Sequence, residues 1–176
     1  MTPTLAETVA LLDRLVAFPT VSADSNLALI DDLADRLDQA GARVELHHSE
    51  NRAKANLFAT IGPDEPGGLV LSGHTDVVPV EGQPWTSDPF RAEERDGLIL
   101  GRGACDMKGF LATALALAPR FAAANLARPL HLAFTYDEET GCFGAPRLIQ
   151  GIAESGLKPR ICIVGEPTEM RIIEGH

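Results

Sequence analysis

The stretch GLVLSGHTDVVPV, residues 68–80, combines a short apolar run with two polar groups that follow it at a fixed spacing. The apolar part predicts a buried β-strand over 68–72. His74 and Asp76 come next, and because residues two apart in an extended chain point to the same side, their side chains should share a face. A carboxylate beside a histidine can fix its tautomer, or both groups can serve one metal ion. A hydrogen-bonded pair in a loop is the structural alternative, and this stretch alone leaves it open.

Outside this strand, the chain alternates between helical and extended patterns. Apolar residues at helical spacing predict amphipathic helices over 5–16, ended by Pro19, and over 27–37, closed by Gly41. Asp96-Gly97 predicts a hairpin. The remaining expected elements are strands over 43–47, 55–61, 130–136 and 160–165, a helix over 106–126 that is bent or ended near Pro119, and a helix over 145–155. This order favours an α/β fold with a mostly parallel sheet covered by helices on both faces.

Length, composition and charge restrict the function classes. The 176 residues are 45% hydrophobic and 23% charged, which is typical of one globular domain with its own core. A net charge of −10 argues against nucleic acid and anionic membranes as partners. Residues 1–18 lack the basic start of a signal peptide, and no apolar run approaches the roughly 20 residues of a membrane span. Cys105, Cys142 and Cys162 form no paired motif, so we expect reduced thiols that serve packing in a cytoplasmic protein.

Polar side chains follow three of the predicted strands. His74 and Asp76 follow the strand over 68–72, Glu138 and Glu139 follow the strand over 130–136, and Glu166 follows the strand over 161–164. In open α/β sheets, sites form beyond the carboxyl ends of the strands, so these groups should converge at one edge. Asp106, between glycines in GRGACDMKG, should join them from the start of a helix. One histidine with several carboxylates and no cysteine suits Zn, Co or Mn in an open site that holds water.

Each of these residues also has a purely structural interpretation. Asp106 could cap the helix that follows it, because Asp satisfies free N–H groups at that position. The run 137–139 could be a solvated acidic turn, and Glu166 a surface residue before Pro167. These separate interpretations give no reason for all the groups to follow strand ends at one edge, and this joint placement favours a metal site.

Four blocks of the sequence resemble the co-catalytic metallohydrolases, a family of zinc peptidases and deacylases that includes aminoacylases, succinyl-diaminopimelate desuccinylases and glutamate carboxypeptidases. The blocks are SGHTDVVPV (72–80), GRGACDMKG (101–109), YDEETGCFG (136–144) and VGEPTEMRIIEGH (164–176). They occur in the family's order and span most of the chain. Cys142 directly after EETG, with GEPTEMR later, is most similar to the acetylornithine deacetylase branch of the family.

The resemblance implies roles for individual residues. By this likeness His74, Asp106 and Glu166 would bind a first divalent ion, with Asp106 bridging to a second ion that Glu139 also binds. Asp76 would sit behind His74 and orient it, and Glu138 would be the general base that activates water between the two ions. A cis peptide bond would follow Asp106. His176 corresponds to the passage into the next domain of the family and not to a ligand.

The resemblance also implies a reaction and a domain organisation. The expected activity is metal-dependent hydrolysis of N2-acetyl-L-ornithine with two Zn or Co ions, in a protein that forms homodimers at full length. Succinyl-diaminopimelate desuccinylase, or hydrolysis of another N-acyl amino acid, is the alternative. Residues 1–176 would then be the N-terminal part of the catalytic domain, without the lid and dimerisation domain or the C-terminal catalytic segment. A second alternative is a fragment that binds metal without activity.

Overall fold

The predicted strands assemble into a five-stranded sheet in the computed structural model, which describes residues 3–173. The helices are α1 (Pro3–Val16), α2 (Leu27–Gln39), α3 (Gly109–Ala123) and α4 (Ala145–Glu154), and a π-helical turn covers Ala104–Lys108. The strands are β1 (Arg43–His48), β2 (Ala55–Ile61), β3 (Leu69–His74), β4 (Glu93–Arg95), β5 (Leu98–Leu100), β6 (Leu130–Thr135) and β7 (Ile161–Val164). The α/β class is confirmed, and β3 extends to His74 itself.

The sheet is mixed, which corrects the expectation of a mostly parallel one. Its order is β1-β2-β6-β3-β7. The β3 strand pairs parallel with β6 and with β7, whereas β2 pairs antiparallel with β1 and with β6. A short connection joins β1 to β2, which is the geometry of an antiparallel pair, while parallel neighbours need long crossovers. The parallel part is therefore the half of the sheet whose carboxyl ends carry the predicted site residues.

Helices cover the sheet on both faces, as the apolar strands predicted. Alternate residues of β2 and β6 face the large core beneath α1, α2 and α3, where Leu57, Leu132 and Phe134 lie buried. The residues between them face the other way, where Phe58 and Ala133 pack with α4. Burial on both faces explains why these strands read as continuous apolar runs.

The helix and hairpin predictions also hold, although several helix ends differ from the predicted ones by one to three residues. The α3 helix does not end at Pro119 but continues to Ala123. Pro119 removes one backbone donor and crowds the carbonyl of Leu115, and the helix nevertheless continues past it, with Leu115 and Ala118 buried in the core. Asp96 and Gly97 connect β4 to β5 with positive φ angles of 53° and 77°, as a tight hairpin turn requires. Within residues 3–173, no helix is both long and apolar enough to cross a bilayer.

Candidate metal centre

His74 lies at the carboxyl end of β3 with its side chain 1% exposed. Its Nδ1 is 2.8 Å from the backbone oxygen of Asp76, and since a carbonyl oxygen can only accept, Nδ1 carries a proton. Nε2 is thereby left to face Asp106, whose Oδ1 is 3.0 Å away. Burial by itself would lower the pKa of His74, but the charge and hydrogen bonding of Asp76 and the hydrogen bond to Asp106 raise that pKa to about 9. The Nε2 position is one at which a cation is favoured.

Three carboxylates surround His74 Nε2 at the sheet edge. Besides Asp106, the Glu166 Oε1 atom lies 3.7 Å away and the Glu138 Oε2 atom 3.8 Å away. Ligand atoms within 4.8 Å of one another form two groups, which are His74 with Asp106 and Glu139, and His74 with Glu138 and Glu166. The edge therefore brings together every residue for which the sequence predicted metal ligation, and it adds Glu138 to one group.

The acidic cluster has the electrostatics of a cation site. Burial raises the pKa of Glu139, and the neighbouring charges of Asp106 and Glu138 raise it further. Burial likewise raises the pKa of Glu166, with Asp106 and Glu138 adding to the effect and His74 opposing it. Like charges this close disfavour ionisation, and a divalent ion would reverse that balance. One imidazole and several carboxylates are also the donor set that zinc and related ions accept, so these residues fit such an ion.

Asp76 contacts more than the histidine for which it was predicted. Its carboxylate accepts hydrogen bonds from Ser22 Oγ at 2.6 Å, from the Glu138 N–H at 3.1 Å and from the Glu139 N–H at 3.3 Å. The distance from Asp76 Oδ1 to His74 Nδ1 is longer, at 3.6 Å. Burial would raise the pKa of Asp76, but the nearby His74 imidazole and the hydrogen bonds from Ser22 and the Glu138 N–H lower it. Asp76 is thus an ionised side chain that fixes the backbone carrying Glu138 and Glu139.

Asp106 is held by an unusual backbone and does not cap a helix. Gly103 has φ 79°, and a Cβ there would lie 2.7 Å from Val77 Cγ1. The bond between Asp106 and Met107 is cis, as the family resemblance implied. The N-cap of α3 is Lys108, which lies beyond Asp106 in the chain, so the capping interpretation of Asp106 is wrong. Since Asp106 stands in a turn with an extended backbone, its carboxylate is free to point to His74.

Sequence reasoning missed Lys108. Its side chain is fully buried, and Nζ donates to the backbone oxygens of Leu15 at 3.0 Å and Phe18 at 2.7 Å. Burial lowers the pKa of Lys108 to about 7, and the charge of Asp76 acts in the opposite direction. These bonds fasten the turn that carries Asp106 to the end of α1. A lysine next to glycine gives no local sign of burial, so only the packing of α1 against the turn reveals it.

The remaining histidines and cysteines divide between core and surface. His131 is buried, stacked on Phe58 and bonded to Thr60 Oγ1 at 2.9 Å, as a structural residue would be, and His176 lies outside the described residues. The expectation of packed cysteines is wrong, because Cys105, Cys142 and Cys162 are free and exposed. Cys105 lies in the π-helical turn that carries Asp106, Cys142 lies in the loop after β6, and Cys162 lies on β7, one of the two edge strands of the five-stranded sheet. Cys142 Sγ is 3.7 Å from Glu138 Oε1, and partial desolvation together with the Glu138 charge raises the pKa of the Cys142 thiol, which disfavours the thiolate.

Comparison with known proteins supports the family resemblance. Residues 70–174 match the sequence profile of Peptidase family M20/M25/M40. The chain is 41% identical over 169 residues to an acetylornithine deacetylase of Pasteurella multocida, an alignment that covers 92% of this chain and 43% of that protein. It is 39% identical over 175 residues to an acetylornithine deacetylase of Proteus mirabilis, and that alignment covers 96% of this chain and 44% of the relative. The chain therefore spans less than half the length of the curated relatives it matches.

Solved structures share the fold. Human carnosine dipeptidase 1 superposes with a TM-score of 0.77 at 25% identity, over 90% of this chain and 38% of that one. A metallo-carboxypeptidase of the M20 family from Sulfolobus solfataricus superposes with a TM-score of 0.78 at 24% identity. That superposition covers 90% of this chain and 37% of the carboxypeptidase. The second likeness speaks for the fold alone. Together these matches confirm the metallopeptidase-like α/β architecture that the four sequence blocks implied.

Proposed function

Because this chain belongs to peptidase family M20/M25/M40, we propose that it carries the metal centre of an amidohydrolase that removes acetate from N2-acetyl-L-ornithine. The convergence of His74 with Asp106, Glu138, Glu139 and Glu166 at one edge of the sheet carries the proposal. The identities of 41% and 39% to acetylornithine deacetylases support the choice of substrate. We also propose residues 1–176 as the N-terminal part of a catalytic domain, with the lid and dimerisation domain and the C-terminal catalytic segment outside it, because the alignments cover only 43% and 44% of these relatives.

In the proposed centre, His74, Asp106 and Glu166 would bind one divalent ion, and Asp106 and Glu139 would bind a second. This division follows the family resemblance, whereas the closely spaced groups combine His74 with Asp106 and Glu139, and His74 with Glu138 and Glu166. Both groups of closely spaced ligands share His74, and one Nε2 lone pair can serve only one ion. Among the described residues, the second ion therefore has carboxylates alone. We propose Zn or Co as the ions, since both accept this donor set. When bound, such ions supply Lewis-acid polarisation of the amide carbonyl and lower the pKa of water.

Glu138 is the proposed general base. Its carboxylate takes a proton from the attacking water and donates that proton to the nitrogen of the departing amine. Asp76 supports this role, because it accepts the N–H of Glu138 at 3.1 Å and thereby fixes where the side chain begins. The protonated Nδ1 of His74, bonded to the Asp76 carbonyl, keeps Nε2 directed at the carboxylates. Glu138 can then move a proton while the neighbouring ligands stay in place.

The proposal extends to the substrate, the partners and the oligomeric state of the whole protein. The substrate is a small N-acyl amino acid, and neither nucleic acid nor membrane is a proposed partner. We propose a cytoplasmic homodimer. Succinyl-diaminopimelate desuccinylase is the runner-up within the same chemistry, since the residues that converge on His74 act on the amide bond and do not select the acyl group or the amino acid.

The decisive experiment measures metal content and deacylation together on the intact gene product. We expect hydrolysis of N-acetyl-L-ornithine to exceed that of N-succinyl-diaminopimelate, with activity lost on chelation and restored by Zn²⁺ or Co²⁺. Replacing His74 by Ala removes the imidazole from both ligand groups and should abolish ion binding and turnover. His47→Gln is the matched control, because β1 lies three strands away from β3 in the sheet. Unchanged ion stoichiometry in His74→Ala would remove the assignment, and a reversed substrate preference would favour the desuccinylase.

A metal-binding role without turnover is the second candidate for the 176-residue chain by itself. Ile161, Ile163 and Val164 of β7 are 56%, 47% and 57% exposed, an apolar edge that favours self-association. The weaker all-carboxylate second site favours loss of activity. We expect the isolated chain to bind about one ion, to associate, and to release no ornithine. Steady turnover by a monodisperse monomer would refute this candidate.

A further inference from the structure

Lys54 and Asp137 form an ion pair behind the metal centre. Lys54 Nζ lies 2.5 Å from Asp137 Oδ1, and both side chains are 17% exposed. The same ammonium group donates to the backbone oxygen of Ser22. These residues come from three separate segments, namely the loop after α1, the connection between β1 and β2, and the turn after β6. Lys54 therefore joins three parts of the chain that meet beside the site.

The contacts of Lys54 close a ring with those of Asp76. Ser22 accepts from Lys54 through its carbonyl oxygen and donates through its hydroxyl to Asp76 at 2.6 Å. Asp76 in turn accepts the N–H of Glu138, which directly follows Asp137 in the chain. Asp137 has a positive φ of 57°, an uncommon conformation for a residue that is not glycine. The ring thus holds the turn after β6 at two points, the side chain of Asp137 and the backbone N–H of Glu138.

We propose that Lys54 is a positioning residue, which holds the turn of Glu138 and Glu139 against Asp76 through its bonds to Asp137 and Ser22. The inference rests on the proposed function for its catalytic consequence, since Glu138 is the proposed base. The Lys54 ammonium group bonds to Ser22 and Asp137 and forms no hydrogen bond or ion pair with Glu138 or His74. It acts by fixing the backbone, so that both glutamates start from defined positions.

The alternative is an ion pair that merely adds to stability. Arg14 and Asp32 supply the comparison, because their contacts join α1 to α2 away from the sheet edge. Arg14 is 51% exposed, and its pair touches no residue of the ring. Arg14→Met therefore breaks an ion pair between two segments and should leave the turn after β6 unchanged.

Amide exchange on the metal-free intact protein tests the positioning role without reference to activity. Hydrogen–deuterium exchange is followed by mass spectrometry in peptides that contain residues 138 and 139. Lys54→Met should speed their exchange about tenfold, as the loss of a charge-assisted bond predicts. Arg14→Met should leave their exchange as in the wild type. Asp137→Ala should give the same acceleration as Lys54→Met, and the double variant should add nothing, because both changes open the same ring.

A second readout addresses the catalytic consequence. In Lys54→Met, Co²⁺ affinity or kcat for N-acetyl-L-ornithine should fall about 10–100-fold, as for other residues that orient ligands, while KM changes little. Equal exchange in Lys54→Met and wild type would overturn the inference, and if Lys54→Met does not fold, equal exchange in Asp137→Ala and wild type overturns it instead. A wild type that binds no divalent ion would refute the proposed function, while the exchange experiment would still decide the role of Lys54.

Discussion

Replacing Asp76 by Asn removes a charge from the buried centre of the site while keeping the shape of the side chain. The Asp76 carboxylate accepts three hydrogen bonds, from Ser22 Oγ and from the N–H groups of Glu138 and Glu139. An amide has one oxygen acceptor, and its NH₂ group would face a donor. Ser22 can turn its hydroxyl to accept a bond from the new NH₂ group. If the remaining oxygen of Asn at position 76 stays with the N–H of Glu138, the N–H of Glu139 is left without a partner.

The magnitude follows from these bonds. An unsatisfied buried donor costs about 1–3 kcal/mol, and hydrogen bonds to a charged group are worth about 1.5–3 kcal/mol against about 1 kcal/mol for neutral ones. We therefore expect Asp76→Asn to lower the free energy of unfolding by about 3 kcal/mol. At about 2–4 °C per kcal/mol for a chain of this size, Tm should fall by about 6–12 °C.

Thermal unfolding of the metal-free protein, followed by circular dichroism at neutral pH, measures this change. Asp32→Asn is the control, because Asp32 also accepts bonds from two side chains, Arg14 and Arg36, but these arginines are 51% and 36% exposed, and such ion pairs are worth about 0–1 kcal/mol each. A Tm for Asp76→Asn that falls no further than that of Asp32→Asn would refute the reasoning. It would mean that the Glu138–Glu139 turn does not depend on this carboxylate.

Three further changes test other parts of the site. Glu138→Gln should keep the bound ions but lower turnover about 10²–10⁴-fold, because an amide cannot accept the proton, and near-normal activity would assign the base elsewhere. Gly73→Ala would place a Cβ 2.8 Å from both Leu111 Cδ1 and Met107 Cε, so we expect an overpacking loss of about 1–3 kcal/mol by denaturant unfolding, and an unchanged midpoint would contradict it. Burial lowers the pKa of His131 from 6.5, so the unfolded chain takes up the proton first and stability should fall as pH drops below 6.5. His131→Phe should flatten that slope, and an equal slope in both proteins would show that another group titrates.

Much of the site could be predicted because its residues are marked by local signals. The β3, β6 and β7 strands are runs of mainly apolar residues, and His74, Glu138, Glu139 and Glu166 come at or soon after the ends of these runs. Because β3, β6 and β7 are parallel neighbours, their carboxyl ends meet at one edge, and His74, Glu138 and Glu166 meet with them. The hairpin at Asp96-Gly97 was likewise local, since two consecutive residues with positive φ specify it.

Other features depend on partners far apart in the chain, and no local pattern specifies them. The antiparallel pairing of β2 with β6 makes the sheet mixed, yet β2 has the same apolar composition that a parallel strand would have. Ser22 bonds to a residue 54 positions away, and Lys54 to one 83 positions away. Periodicity and turn chemistry act over a few residues and therefore determined the elements and the types of ligand. Which distant donor satisfies which buried carboxylate is decided only when the elements pack, because the cost of an unpaired polar group arises only once water is excluded.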